Sequence, residues 1–440
     1  MAEVTSIAMQ YIDAAMVGSL GANATAAIGL VSSTTWLFGG MCVSAATGFS
    51  VQTAHLIGAG RTGEAQSLLR QALMAALFFG LLLAGAGAAL SPHLPVWLGG
   101  APEVCPDASR YFLIYACSLV FAQFRQMSGG ILQCSGNMRT PSLLNMLLCA
   151  LDILFNSVLI FPARTLSLGS LSLTIPGAGL GVAGAALGTA LAEAVTALLM
   201  TYMLCVRSQT LRLQRGGSWK PNPPRLRTAG WLALPLALEH IILCGAQIAS
   251  TGIVAPLGTV AVAANSLAVT AESFCYMPGY GLAAAATALV GQSIGARRLD
   301  LAQRFARLSV ALGVAIMTVT GALMFLAAPG MFLLLTPDPA IRALGVQALR
   351  IEAFAEPLFA VSIVAAGALR GAGDTLVPSL MNLLSMWGIR ITASIALAPR
   401  LGLAGVWLAM CGELCVRGIL FLIRLLRGKW LKKELIQNET

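Results

Sequence analysis

The chain has 440 residues, of which 58% are hydrophobic and only 10% charged, with 27 Lys and Arg against 17 Asp and Glu. A soluble domain carries about 25% charge and 45–50% apolar residues, so this composition excludes a soluble enzyme and a disordered protein. The net charge of +10 does not mark a nucleic-acid binder, because the bases sit in short segments between long apolar runs; the chain reads as a polytopic membrane protein.

Twelve apolar spans are expected. The first, near residues 4–19, contains Asp13 and no basic residue. It offers roughly 24 Å of helix against a hydrocarbon core of about 30 Å, so roughly 15–25 further residues are expected before Met1. No basic stretch followed by a small-residue cleavage site opens the chain, so no cleavable signal peptide is expected. Spans two to six lie near 25–57, 67–90, 107–134, 139–161 and 179–205. Asp152 and Asn156 are four apart in span five and share one helix face. Gly179–Gly184 satisfies GxGxxG at the start of span six, but without a βαβ context it reads as tight helix packing. Residues 206–227 form a basic linker: from Arg207 to Arg227 there are six bases, no acid and three prolines. It reads as a topology determinant, with binding to anionic headgroups as the second reading. Spans seven to twelve lie near 228–254, 260–293, 304–335, 341–369, 376–397 and 402–427, and residues 428–440 form a tail. Pro235 precedes Glu239 by four residues, and Pro357 directly follows Glu356, so kinks are expected there.

Bases fix the orientation. Connections after even-numbered spans hold 19 Lys and Arg, against four (Arg110, Arg164, Arg342 and Arg400) on the other side. Even-numbered connections and both termini are therefore expected in the cytoplasm. The ten cysteines are scattered, no CxxC pair exists, and His55, His93 and His240 form no ligand cluster; small packing residues are expected there, with neither metal nor disulfide.

An internal repeat accompanies the spans. A shift of 237 residues pairs Val17, Leu20, Gly21, Ala26, Ala27 and Leu30 with Val254, Leu257, Gly258, Ala263, Ala264 and Leu267. The same shift pairs Ile57-Gly58-Ala59 with Ile294-Gly295-Ala296, and Pro141-Ser142-Leu143 and Asn145 with Pro378-Ser379-Leu380 and Asn382. Six spans per half give both halves one orientation. Two such lobes, 1–205 and 228–427, suit a secondary transporter with a central cleft. No GxxxxGK[ST] motor is present, so an ion gradient is the expected energy source.

The segments DAAMVGSLGANATAAIGL (13–30), LNMLLCALDILFNSVLIF (144–161), VGQSIGARRLDLA (290–302) and GALRGAGDTLVPS (367–379) resemble the multidrug and toxic compound extrusion (MATE) transporters, bacterial branch. The resemblance implies an all-α fold of twelve transmembrane helices in two pseudo-symmetric six-helix lobes around a cleft. It further implies cation-coupled export of drug-like compounds by a monomer in the bacterial inner membrane, without enzyme activity or a cofactor. The sequence departs from the family at two points. Only twelve residues precede Asp13, and the fifth span has Asp152 before Asn156 where the family has Asn before Asp.

Carboxylates deep in a bilayer are costly and mark function. Those within spans are Asp13, Asp152, Glu193, Glu239, Glu272, Glu352, Glu356 and Glu413. Asp13, Asp152, Asn156 and Thr189 can share a proton or offer oxygens to Na⁺, and the resemblance points to this same set; a structural hydrogen-bond network is the alternative. Glu239, Glu272 and Glu356, with Tyr276, suit an amphipathic organic cation through charge pairing and cation–π contact. Glu352 and Glu413 are expected to pair with Arg350, Arg390 or Arg417. A flippase for lipids or lipid-linked oligosaccharides is the competing function, and it would favour a cationic cleft.

Overall fold

A computed structural model of the chain describes residues 9, 12–13, 15–168, 171–214 and 217–432. Residues 1–8, most of the tail and Arg215 of the linker lie outside these. Helix α1 includes residues 12, 13 and 15–18 and ends before Gly21, whose φ of 112° turns the chain. There follow α2 (Ala22–Gly58), α3 (Thr62–Leu90), the one-turn α4 (Leu94–Trp97), α5 (Cys105–Cys134), α6 (Arg139–Leu159) and α7 (Gly181–Tyr202). The second half comprises α8 (Pro223–Val254), α9 (Thr259–Gly295), α10 (Leu299–Leu335), α11 (Pro339–Glu352), α12 (Glu356–Gly371), α13 (Leu376–Ser385), α14 (Thr392–Leu401) and α15 (Leu403–Leu426).

The expected twelve spans are present in order, once α11–α12 and α13–α14 are each counted as one. Among the described residues, nine are long and apolar enough to cross a bilayer, and α11 with α12 makes a tenth. α5, which carries Asp107, Arg110 and Arg125, stands outside that set. The repeat is visible in the helix boundaries themselves. α2 and α9 begin and end 237 residues apart, as do the starts of α3 and α10 and of α6 and α13.

One element was not expected. Between α6 and α7 the chain forms an antiparallel hairpin, β1 (Pro162–Leu168) with β2 (Leu171–Ala178). Here the chain alternates Leu with Ser or Thr on both sides of Gly169-Ser170, a two-residue period that favours strands.

The chain divides into two units. One comprises Met1–Thr53 with Thr62–Gly230, the other Ala54–Arg61 with Trp231–Thr440. In the first, Ala27, Val31, Phe38, Phe112, Leu119 and Val182 pack from α2, α5 and α7. In the second, α9, α10, α12 and α15 meet through alanines and valines, with Phe421 and Trp430 completely buried. Small residues let backbones approach closely, which drives association where lipid removes the hydrophobic effect between helices. The last five residues of α2 belong to the second unit, where His55 Nε2 lies 2.8 Å from the Gly371 carbonyl oxygen.

Candidate functional site

In the first unit, α1, α6 and α7 bring Asp13, Asp152, Asn156 and Thr189 together. The Asn156 amide nitrogen donates to Asp13 Oδ1 at 2.9 Å and to Asp152 Oδ2 at 3.1 Å. Asp13 and Thr189 both lie beside the Asp152 carboxyl, and Tyr111 of α5 lies within electrostatic range of both aspartates. Asp152 and Asn156 are buried, yet Oδ1 of each receives no hydrogen bond. Close helix packing makes room for this cluster. A Cβ on Gly188 would strike the Asn156 amide, and one on Gly184 would strike the Leu159 carbonyl. α7 therefore meets α6 along Gly184 and Gly188, the tight packing expected from the glycine-rich start of span six. Two carboxylates and a hydroxyl supply oxygen donors, and the Asn156 amide nitrogen bridges the two acids. This arrangement suits a proton shared between the acids or a small hard cation.

In the second unit, α9, α11, α12 and α15, with Arg390 between α13 and α14, gather acids, bases and aromatics. Tyr276 packs edge-on against Tyr280 and Phe359, with centroids 5.9 and 5.6 Å apart. The Arg417 guanidinium lies 5.5 Å from the Phe359 ring. Glu413 pairs with Arg390 at 2.9 Å and Arg417 at 3.2 Å and accepts from Ser385. Glu272 lies in the field of the same two arginines. Glu352 and Glu356 are fully buried with no hydrogen bond to any of their oxygens, although the Cys275 thiol lies beside Glu356. The expected pairing holds for Glu413 and fails for Glu352, because Arg390 and Arg417 are drawn to Glu413 and Arg350 packs over Phe325. Glu239 of α8 is elsewhere engaged. Ser379 and Asn382 each donate to it at 2.6 Å, and Arg370 lies 3.4 Å away.

The MatE family profile matches residues 1–158 and 235–395. The chain belongs to the MATE family. It is 26% identical over 436 residues to a probable multidrug resistance protein NorM of Thermotoga maritima, covering 97% of this chain and 90% of that one. Its fold matches a MATE transporter of Vibrio cholerae with a TM-score of 0.88 at 17% identity, over 98% and 95% of the two chains. It also matches a MOP superfamily transporter of Pyrococcus furiosus with a TM-score of 0.88 at 21% identity, over 98% and 94%. The protein is thus a multi-pass membrane transporter and not an enzyme.

Sequence reasoning missed several groups in this MATE protein. Arg125 of α5 forms a part-buried pair with Glu193 at 2.6 Å and reaches Asn145 at 3.3 Å. Asp374 pairs with Arg424 at 2.6 Å. Tyr111 was overlooked because its place within range of the aspartates depends on how α5 packs. One signal did exist: Asn145 and Asn382 are repeat partners, and each bonds a member of a part-buried charged pair.

Proposed function

We propose that this transporter exports organic, mostly cationic compounds from the bacterial cytoplasm in exchange for H⁺ or Na⁺. Asn156 bridging two carboxylates is the observation that carries the reading. Bringing two acids together in a low dielectric is unfavourable unless a proton or cation accompanies them. In this reading Asp13, Asp152, Asn156 and Thr189 load the coupling ion from the outside and release it inside. The change in charge biases the inward–outward equilibrium of the two lobes.

Substrate is assigned to the second unit, at Glu272, Glu356 and Tyr276, with Glu239 as a further acid. Four carboxylates, Glu272, Glu352, Glu356 and Glu413, gather with two guanidiniums, Arg390 and Arg417, in the second unit, which favours cations over the phosphates a flippase would hold. The transporter acts as a monomer without a cofactor, and both of its termini are cytoplasmic.

The test uses the purified protein in vesicles loaded with a fluorescent organic cation, under an imposed H⁺ gradient and then an imposed Na⁺ gradient. Exchange driven by one of the two is expected. Equal movement with no gradient, or movement of fluorescent lipid in place of the cation, overturns the reading.

A further inference from the structure

The segment between α7 and α8 is not a loose tether. After Arg207 the chain crosses from the end of one membrane span to the start of the next at Pro223. On the way it is strapped to the first turns of α3 by its backbone. Gln71 donates to the Lys220 carbonyl at 2.8 Å and accepts from the Asn222 amide at 3.0 Å. Arg70 donates to the Gln214 carbonyl at 3.1 Å. Arg225 bonds the Glu64 carbonyl at 3.0 Å and the Glu64 carboxylate at 3.2 Å, and its own carbonyl accepts from Gln52 at 3.3 Å. Gln71, Arg70 and Leu211 are buried.

This clamp uses Arg70 and Arg225 and leaves four other bases outward. Arg207, Arg212, Lys220 and Arg227 are exposed and form no ion pair among the described residues. No acid occurs anywhere between Glu193 and Glu239. Beside Lys220, Trp219 is 51% exposed. Tryptophan next to bases at the end of a membrane helix is the chemistry of the headgroup layer.

We infer that this strapped segment is a docking surface for anionic phospholipid headgroups, with Arg207, Arg212, Lys220 and Arg227 taking the phosphates and Trp219 seated at the interface. Each base adds attraction to an anionic surface that fades within a Debye length. The clamp fixes the backbone in advance, so docking costs little of its freedom. The bases thus do more than set orientation during insertion.

The test compares thermal unfolding of the full chain in nanodiscs of phosphatidylcholine with nanodiscs that also contain phosphatidylglycerol. Both leaflets are accessible there, so the result is independent of orientation in the cell. The wild type is expected to melt several degrees higher with the anionic lipid, and about 1 M salt should erase the difference. The combined variant Arg212→Gln, Lys220→Gln, Arg227→Gln is expected to lose most of the rise. Gln71→Ala, which removes no charge, should lower it in part by loosening the clamp. A full rise in the triple variant overturns the proposal, as does the same rise with inorganic phosphate added to phosphatidylcholine discs. Should the triple variant fail to insert, the wild-type salt titration decides: a rise indifferent to salt refutes headgroup docking.

Discussion

Asn156 and Gly188 show how one atom can decide a site. The Asn156 amide nitrogen holds Asp13 and Asp152 together, and only a residue without Cβ leaves space for it at position 188. Asp13→Asn is expected to abolish gradient-driven efflux while the protein still reaches the membrane, and Asp152→Asn to come close to it. Asn156→Asp should shift ion affinity or preference. Efflux from vesicles under imposed gradients, with expression checked, measures all three; wild-type efflux by Asp13→Asn would remove the cluster from the mechanism. Gly188→Ala should reproduce the Asp13→Asn defect without touching a polar group. Fully retained efflux there would mean that Asn156 does not need its observed position. The acids and Asn156 were legible because a carboxylate in an apolar span stands out. Gly188 was not, since its value lies in what a neighbouring helix brings to it.

Among the elements, the paired helices of the repeat diverge most at α5 and its counterpart. α5 runs unbroken for 30 residues, whereas α11 and α12 are bent by 60° at residues 353–355. Pro357 stands where the first half has Val120, and proline lacks the amide that would continue the helix, so this break was readable from the sequence. The hairpin was less so, because seven- and eight-residue strands give a weak signal beside twelve long apolar runs. In the first half, α5 is tied to α2 by a neutral bond from the Tyr115 hydroxyl to the Thr35 carbonyl at 2.6 Å. Shifted by 237, those positions become Glu352 and Glu272, two acids in the same buried group. The double variant Glu272→Thr, Glu352→Tyr should therefore melt higher than wild type, by calorimetry, and transport cations poorly. In a separate assay, Glu272→Gln should slow cationic substrates more than neutral ones, since only a cation loses a Coulomb partner. Equal slowing of both classes counts against a binding role.

Over the whole molecule, the duplicated framework and the chemistry it carries have parted. Asp13, Asp152 and Asn156 correspond at the same offset to Ser250, Ile389 and Ala393, so the second half lacks these three groups at the matching positions. Backbone periodicity was legible because close packing demands small residues at fixed spacing; the partners of each buried acid, such as Ser379 and Asn382 at Glu239, were not, since they depend on which helices meet. The orientation read from the bases makes its own prediction. In a cysteine-free background, Gln209→Cys should react with a membrane-impermeant thiol reagent only from the cytoplasmic side, and Ala101→Cys only from outside. The reverse pattern would invert the proposed direction of transport.

The placement of the end of α2 has a consequence for biogenesis. Its last residues are synthesised early, yet they belong with the second unit, and His55 finds the Gly371 carbonyl only 316 residues later. While the ribosome is still making the second half, the residues of the first unit are all synthesised but the end of α2 lacks its partner. That end is a natural point for a membrane chaperone to guard and for quality control to inspect. A chain truncated after Gly230 would leave it permanently unmatched.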